Sequence, residues 1–183
     1  HPGSAKRCMV NAQLIAMEFH GMLPVHDRPE ATEGYEGFSH LCAMQGEVEL
    51  ATLEYIIRDH DRASFEARKA LFESAAAFLN AKYGAGTVEV ALRDSYYNMR
   101  EKIEPHMAIV EAAQQAMRDA GVTPRVVPIR GGTDGARLSY EGLPCPNLFT
   151  GGENYHGRFE YVPVEDMEAA VRTLKCILRN AAK

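Results

Sequence analysis

The residues best suited to chemistry in this 183-residue chain cluster in one run, residues 129–157. The run carries Arg130, followed directly by Gly131 and Gly132. An arginine at a strand end, beside glycine amides at a helix start, attracts anions because the free amides and the helix dipole both favour negative charge. The run therefore predicts a loop that binds a carboxylate or an amide carbonyl. The alternative is a tight strand-to-helix turn in which the following Thr-Asp pair only caps the helix.

His156 lies further along the same run, after a predicted strand and a second glycine pair. Imidazole is a common zinc ligand, but a catalytic zinc takes about three protein ligands and a water, so one histidine cannot hold it. From the pattern alone, a solvent-exposed loop histidine is the commoner outcome. Two adjacent pairs, His26-Asp27 and His60-Asp61, are predicted to be solvated loops because neighbouring side chains do not face one metal from a strand or helix.

Arg58 ends a predicted strand over residues 48–58. Alternate residues from Ala51 to Ile57 form the predicted core face of that strand, so Arg58 points to solvent or to a site. A guanidinium there can hold a carboxylate through two parallel hydrogen bonds. A solvated surface arginine is the ordinary alternative.

The elements that must position these residues follow from hydrophobic periodicity and turn residues. The first half predicts a helix at 4–19, a strand at 38–44, a turn at 45–46, a strand at 48–58, a helix that Asp61 caps and that runs to residue 83, and a strand at 88–92. The order α-β-β-α-β is that of a ferredoxin-like βαββαβ domain lacking its first strand.

The second half predicts strands alternating with helices, the pattern of an α/β domain with a parallel sheet. Helices are expected at 105–120, 133–142 and 164–180, and strands at 125–129 and 145–150. In the last helix we expect an inward stripe of Met167, Val171, Leu174 and Leu178. We place the boundary near residue 98, giving domains 1–98 and 99–183.

Composition narrows the class of protein. A formal net charge of −5, with interspersed signs and no Lys/Arg block, argues against a nucleic-acid partner or a membrane surface. The four cysteines lie far apart without a Cys-x-x-Cys pair, which favours reduced core residues and a cytoplasmic protein. No apolar run is long enough to cross a membrane.

Five motifs, taken together, resemble the M20 family of dinuclear zinc metallopeptidases, and within it the tripeptide aminopeptidases. They recur in the family's order and spacing over essentially the whole chain: HPGSAK at 1–6, TEGYEGF at 32–38, YIIRDHD at 55–61, DSYYNMREKIEPH at 94–106, and the run 129–157. The expected fold is a lid and dimerisation domain followed by the C-terminal part of a catalytic α/β domain. Family members are about twice this length, and the segment before the first motif supplies most metal ligands and the general base.

The resemblance implies a role for each candidate residue. His156 would be a zinc ligand, Arg58 and Arg130 with Gly131 and Gly132 would bind the peptide substrate, and His1 would steady the oxyanion. The complete subunit would hold two zinc ions and form a homodimer through its lid, while this chain alone is expected to lack activity. Two alternatives stay open: a non-catalytic dimerisation and substrate-recognition module, or a related dipeptidase or deacylase.

Overall fold

The computed structural model describes residues 1–182. Its strands form one two-stranded sheet, and six α-helices accompany it in the described chain. In chain order the elements are α1 (Ala12–Met22), β1 (Phe38–Gly46), β2 (Ala51–Arg58), α2 (Arg62–Tyr83), α3 (Arg100–Ile103), α4 (Met107–Asp119), α5 (Asp134–Tyr140) and α6 (Val164–Ala181). The expected mixture of helix and strand is confirmed.

The described chain divides into two compact units. The first comprises His1–Ser95 together with Pro128–Gly131, and the second comprises Tyr96–Val127 and the described residues from Gly132 onward. The four residues 128–131 thus group with the first unit, although their sequence neighbours belong to the second. The expected division at residue 98 into a lid domain and a catalytic part stays a prediction.

An antiparallel hairpin of β1 and β2 is the centre of the first unit. Its register pairs Phe38 with Arg58 and Gly46 with Ala51, with an irregularity between Leu41 and Ala43. The expected turn at 45–46 is wrong, because the turn closes later, where the Glu47 amide donates to the Leu50 carbonyl at 2.7 Å. Strand β1 therefore runs two residues further than predicted, and β2 starts three residues later.

Helices α1 and α2 pack on one face of this hairpin. Helix α2 begins as predicted, with the Asp61 carboxylate accepting a hydrogen bond from the Ser64 amide at 2.7 Å. The core cluster comprises Ile15, Phe19, Leu23, Phe72, Ala75, Ala76 and Leu79, with Leu53, Tyr55 and Ile57 of β2 packed against it. The predicted core face of β2 is confirmed by these contacts.

Tyr55 places a polar group against that core. Its hydroxyl lies 2.8 Å from His20 Nδ1, and the Arg28 guanidinium donates to His20 Nε2 at 3.1 Å. Because Nε2 accepts from an arginine, Nδ1 must carry the proton and donate to Tyr55. Burial raises the pKa of Tyr55 to about 12, against an opposing effect of the Arg28 charge.

The predicted first helix, 4–19, is wrong at its start. Residues 2–4 form a single 3-10 turn, and Arg7 adopts a φ of 67°, which a continuous helix does not allow. Helix α1 begins only after Asn11, whose side chain accepts a hydrogen bond from the Gln13 amide at 3.0 Å. A capping residue further along the chain therefore overrides the periodicity of the preceding segment.

The predicted strand at 88–92 does not form in the described chain. Val88 instead bonds to a side chain: its amide donates to Asn80 Oδ1 and its carbonyl accepts from Asn80 Nδ2, both at 2.8 Å. Val88 and Val90 still pack against the core. The alternation of hydrophobic residues in this segment therefore reflects packing against the core. The sequence pattern alone cannot distinguish such packing from a hydrogen-bonded strand.

In the second unit, helix α5 begins at Asp134, one residue later than predicted, with Thr133 as its N-cap: Thr133 Oγ1 accepts from the Ala136 amide at 3.3 Å. The strands expected at 125–129 and 145–150 are wrong, since neither segment forms a ladder in the structure described. The second segment is held by α5 instead: buried Ser139 donates to the Gly135 carbonyl at 2.7 Å and accepts from the Cys145 amide at 2.9 Å.

Helices α4 and α6 pack against each other through small residues. Ala116 on α4 is 0% exposed and Thr173 on α6 is 1% exposed, and the Asn180 amide donates to Asp119 at 3.0 Å. The predicted inward stripe of α6 is wrong: Met167, Val171, Leu174 and Leu178 are all exposed, Leu178 to 71%. No helix in the described part of the chain is long and apolar enough to span a membrane.

Candidate functional site

Arg58 and Arg130 lie around one aromatic ring in the first unit. Phe38 is the cross-strand partner of Arg58, so the two side chains share the sheet face opposite the helices. The Arg130 guanidinium lies over the Phe38 ring, 5.0 Å from its centroid. Two arginines that the sequence separates by 72 positions are therefore brought to one half-buried patch. Two cations on one such patch suit an anionic ligand.

Arg130 is held by the loop that precedes β1. Its Nη1 donates to the Thr32 carbonyl at 2.7 Å, and its Nη2 donates to Thr32 Oγ1 at 2.5 Å and to the Glu36 carbonyl at 3.2 Å. The Nε atom is buried and has no hydrogen-bond partner among residues 1–182. The position of this guanidinium is thus set by a loop far from it in sequence.

That loop is closed by its own residues and packed on the end of β2. The Glu36 carboxylate accepts from the Glu33 amide at 2.9 Å. Gly37 is buried, and a Cβ there would collide with the Asp59 carboxylate. Asp59 in turn accepts from Arg68 Nε at 2.9 Å. A glycine at 37 therefore lets the loop approach a half-buried ion pair.

Gly131 and Gly132 differ in their surroundings. A Cβ at Gly131 would meet nothing within 4 Å, whereas one at Gly132 would collide with the Tyr96 hydroxyl. The glycine at 132 is thus required by the tyrosine packed against it. Its amide group can still face a ligand, but close packing is sufficient to explain this residue.

His156 lies in a tight exposed loop of the second unit. It has a φ of 62°, and its amide donates to the Glu160 carboxylate at 3.1 Å. An isolated bridge between Glu153 and Tyr161 closes this loop. A non-glycine residue with positive φ is uncommon, but histidine and asparagine adopt it more readily than most residues, and Asn154 in the same loop has a φ of 56°.

His1 is exposed at the start of the chain. Its Nδ1 accepts from the Gly3 amide at 3.1 Å, and its carbonyl accepts from the Ser4 amide at 3.1 Å. The side chain therefore folds back on the HPGS turn. His1, Arg58, Arg130 and Gly131 belong to the first unit, and Gly132 and His156 belong to the second.

Sequence reasoning missed His60, which it assigned to a solvated loop. The ring lies edge-on to Tyr35, with centroids 5.1 Å apart. Its Nδ1 is 3.1 Å from the Tyr35 carbonyl and its Nε2 is 3.2 Å from the Ile129 carbonyl. The signal available in the sequence was the position of His60 inside the YIIRDHD motif, at the junction of β2 and α2.

Comparison with known proteins identifies the family of this chain. Residues 8–180 match the model of Peptidase family M20/M25/M40. The chain belongs to this family. It is similar to proteins named Peptidase T from Shouchella clausii, with 59% identity over 183 residues, and from Exiguobacterium sibiricum, with 56%. The matches cover 100% of this chain but 45% and 44% of those relatives, so the chain spans under half of their length.

Two solved structures share the fold. A tripeptidase from Staphylococcus aureus superposes with a TM-score of 0.66 over 94% of this chain and 46% of that chain. An aminopeptidase PepT from Bacillus cereus gives a TM-score of 0.64 over 100% of this chain and 48% of that chain. Both are 21% identical to this chain, so these two matches support the fold alone.

The resemblance seen in the motifs implies a metal site to which His156 contributes one ligand. Among residues 1–182, no group of three His, Cys, Asp or Glu side chains is arranged to hold a metal ion. A catalytic metal needs about three protein ligands. The described residues therefore do not form a metal centre by themselves, and His156 is a single candidate ligand.

Proposed function

We propose that this chain is part of a longer metallo-aminopeptidase that removes the N-terminal residue of tripeptides. The observation that carries the proposal is the pair of arginines around Phe38, of which Arg58 suits the carboxylate and Arg130 a backbone carbonyl of a short peptide. Relatives named Peptidase T, matched along this whole chain, support the same activity.

Each candidate residue receives a role on the substrate side. Arg58 binds the C-terminal carboxylate of the tripeptide, since it shares with Phe38 the sheet face opposite the helices. Arg130 and the amides of Gly131 and Gly132 contact the peptide backbone. His1 donates to the oxyanion that develops when the scissile carbonyl is attacked. Its exposed position leaves the ring accessible for this role.

The metal is proposed to be zinc, with two ions in the complete subunit and His156 as one ligand. The exposed position of His156 in a tight loop supports this assignment, since it leaves the imidazole accessible to a metal ion. The remaining ligands would come from residues outside this chain, in keeping with the share of the relatives that it covers. The exposed apolar stripe of α6 would be covered by the same additional structure.

The complete enzyme is further proposed to be a cytoplasmic homodimer that uses the hairpin unit as its interface. The four cysteines are free, which fits a reducing compartment, but the prediction that they are core residues is wrong, since Cys8 and Cys42 are exposed. Neither nucleic acid nor membrane is proposed as a partner, given the net charge of −5.

Arg58→Ala in the complete enzyme tests the substrate assignment. For tripeptides with a free carboxylate, we expect kcat/KM to fall by an amount equivalent to about 2 to 4 kcal/mol of transition-state stabilisation, since a desolvated charge pair is lost. Tripeptides amidated at the C-terminus should be affected much less. Arg93→Ala, at an exposed arginine of the same unit, is the matched control and should leave both substrates unchanged. An equal fall for acid and amide substrates would show that Arg58 is structural.

A further inference from the structure

Arg130 is surrounded by a set of contacts that we call the clasp: Thr32, Glu36 and Phe38 around its guanidinium, and His60 on the carbonyl of the preceding residue, Ile129. Three hydrogen bonds to Thr32 and Glu36 hold its two terminal nitrogens. The clasp joins three of the sequence motifs, TEGYEGF, YIIRDHD and the run after residue 129.

His60 closes the clasp from the backbone side. Both ring nitrogens face carbonyl oxygens, of Tyr35 at 3.1 Å and of Ile129 at 3.2 Å. A neutral imidazole has one N–H and can donate to one of these oxygens, whereas the imidazolium donates to both. His60 therefore ties the loop before β1 to the segment that carries Arg130.

The clasp also limits what Arg130 can offer a ligand. A guanidinium has five N–H groups. Both hydrogens of Nη2 and one of Nη1 are directed at Thr32 and Glu36. Nε is buried without a partner among the described residues. One Nη1 hydrogen is left for a ligand outside, which suits a single carbonyl oxygen and not a two-pronged grip on a carboxylate.

We infer that Thr32 and His60 are positioning residues that fix Arg130, so that it donates one hydrogen bond to a backbone carbonyl of the peptide substrate. The inference rests on the proposed function for its substrate, but the clasp itself can be tested without any substrate. The carboxylate grip is then left to Arg58.

Limited trypsin digestion of the 183-residue chain tests the clasp. Trypsin must take the arginine side chain into its own pocket before it cuts, so a clasped Arg130 is protected. Thr32→Val keeps the shape of the side chain and removes its hydroxyl. We expect cleavage after Arg130 to become about tenfold faster, and Thr32→Ser to restore protection. Cleavage after Arg158, in an exposed loop of the second unit, serves as the internal standard.

His60→Phe should also speed cleavage after Arg130, because the ring keeps its contact with Tyr35 but can no longer hydrogen-bond to either carbonyl. His26→Phe is the matched control, since His26 precedes an aspartate in the same way and its side chain is 85% exposed. An unchanged ratio of cleavage after Arg130 and Arg158 in both Thr32→Val and His60→Phe would overturn the clasp.

Kinetics of the complete enzyme test the substrate contact. Thr32→Val should raise KM about equally for acid and amide tripeptides with little change in kcat, while Thr32→Ser behaves as wild type. A selective loss on acid substrates would overturn the assignment of Arg130 to a carbonyl. Faster trypsin cleavage with unchanged KM would overturn its substrate role and leave the clasp intact. Arg58→Ala reports separately on the proposed function.

Discussion

The apolar faces of helices in the two units have opposite surroundings. In the first unit, α1 and α2 bury their stripes against the hairpin, and Leu79 on α2 is 0% exposed. In the second, α6 buries Thr173 and leaves Leu174 50% exposed. The difference comes from what the described chain provides for each helix to pack against: a hairpin for α1 and α2, and helix α4 for α6.

Hydrophobic periodicity identifies the face of a helix that must be buried, but it does not identify the element that buries it. In the first unit, that face is buried by a hairpin from the same chain. The stripe of α6 meets no sheet in the described residues, because the expected strands at 125–129 and 145–150 do not pair. Relatives more than twice as long are consistent with cover supplied by additional structure.

Matched leucine substitutions would sharpen the comparison most. Leu79→Ala should destabilise the chain by about 2 to 5 kcal/mol, because a cavity replaces a fully buried side chain. Leu174→Ala should change stability by less than about 0.5 kcal/mol, as is usual for a surface position. Urea unfolding followed by circular dichroism measures both. Equal losses would mean that the α6 stripe is covered in this chain in solution.

A smaller loss of stability is expected when the hairpin unit is brought to alkaline pH. The pKa of Tyr55 is raised from 10.0 to about 12, so the folded state favours the neutral phenol. Its contribution to stability is complete below pH 10 and is lost as pH rises towards 12. Tyr55→Phe should remove the part of the alkaline loss of stability that comes from ionisation of this phenol. If wild type and mutant lose stability in parallel over that range, Tyr55 is not buried as described.

Much of the first unit could be predicted, because local signals agree with the packing that forms. Asp61 has the right side chain to cap α2, and the alternation along β2 identifies its core face. The start of α1 could not be predicted from periodicity, since Asn11 competes as a cap. Strand pairing at 88–92 depends on a partner strand, and a partner is not a local property of sequence.

The candidate site could be predicted in its residue types and less well in its contacts. Arg58 and Arg130 stand out by position in their motifs, but their meeting at Phe38 depends on strand register. His60 was missed because a histidine that bonds two carbonyls is identical in sequence to a solvated one. The role of Gly132 beside Tyr96 likewise requires the coordinates.

The central claim is that this chain carries substrate-side residues and one metal ligand, while the complete catalytic centre belongs to a longer protein. Tripeptide hydrolysis by the purified 183-residue chain, with zinc content measured by elemental analysis on the same sample, tests it most directly. We expect no hydrolysis and clearly less than two zinc ions per chain, because the described residues contain no group of three metal ligands. Hydrolysis by this chain alone, abolished by a chelator and restored by zinc, would contradict the account.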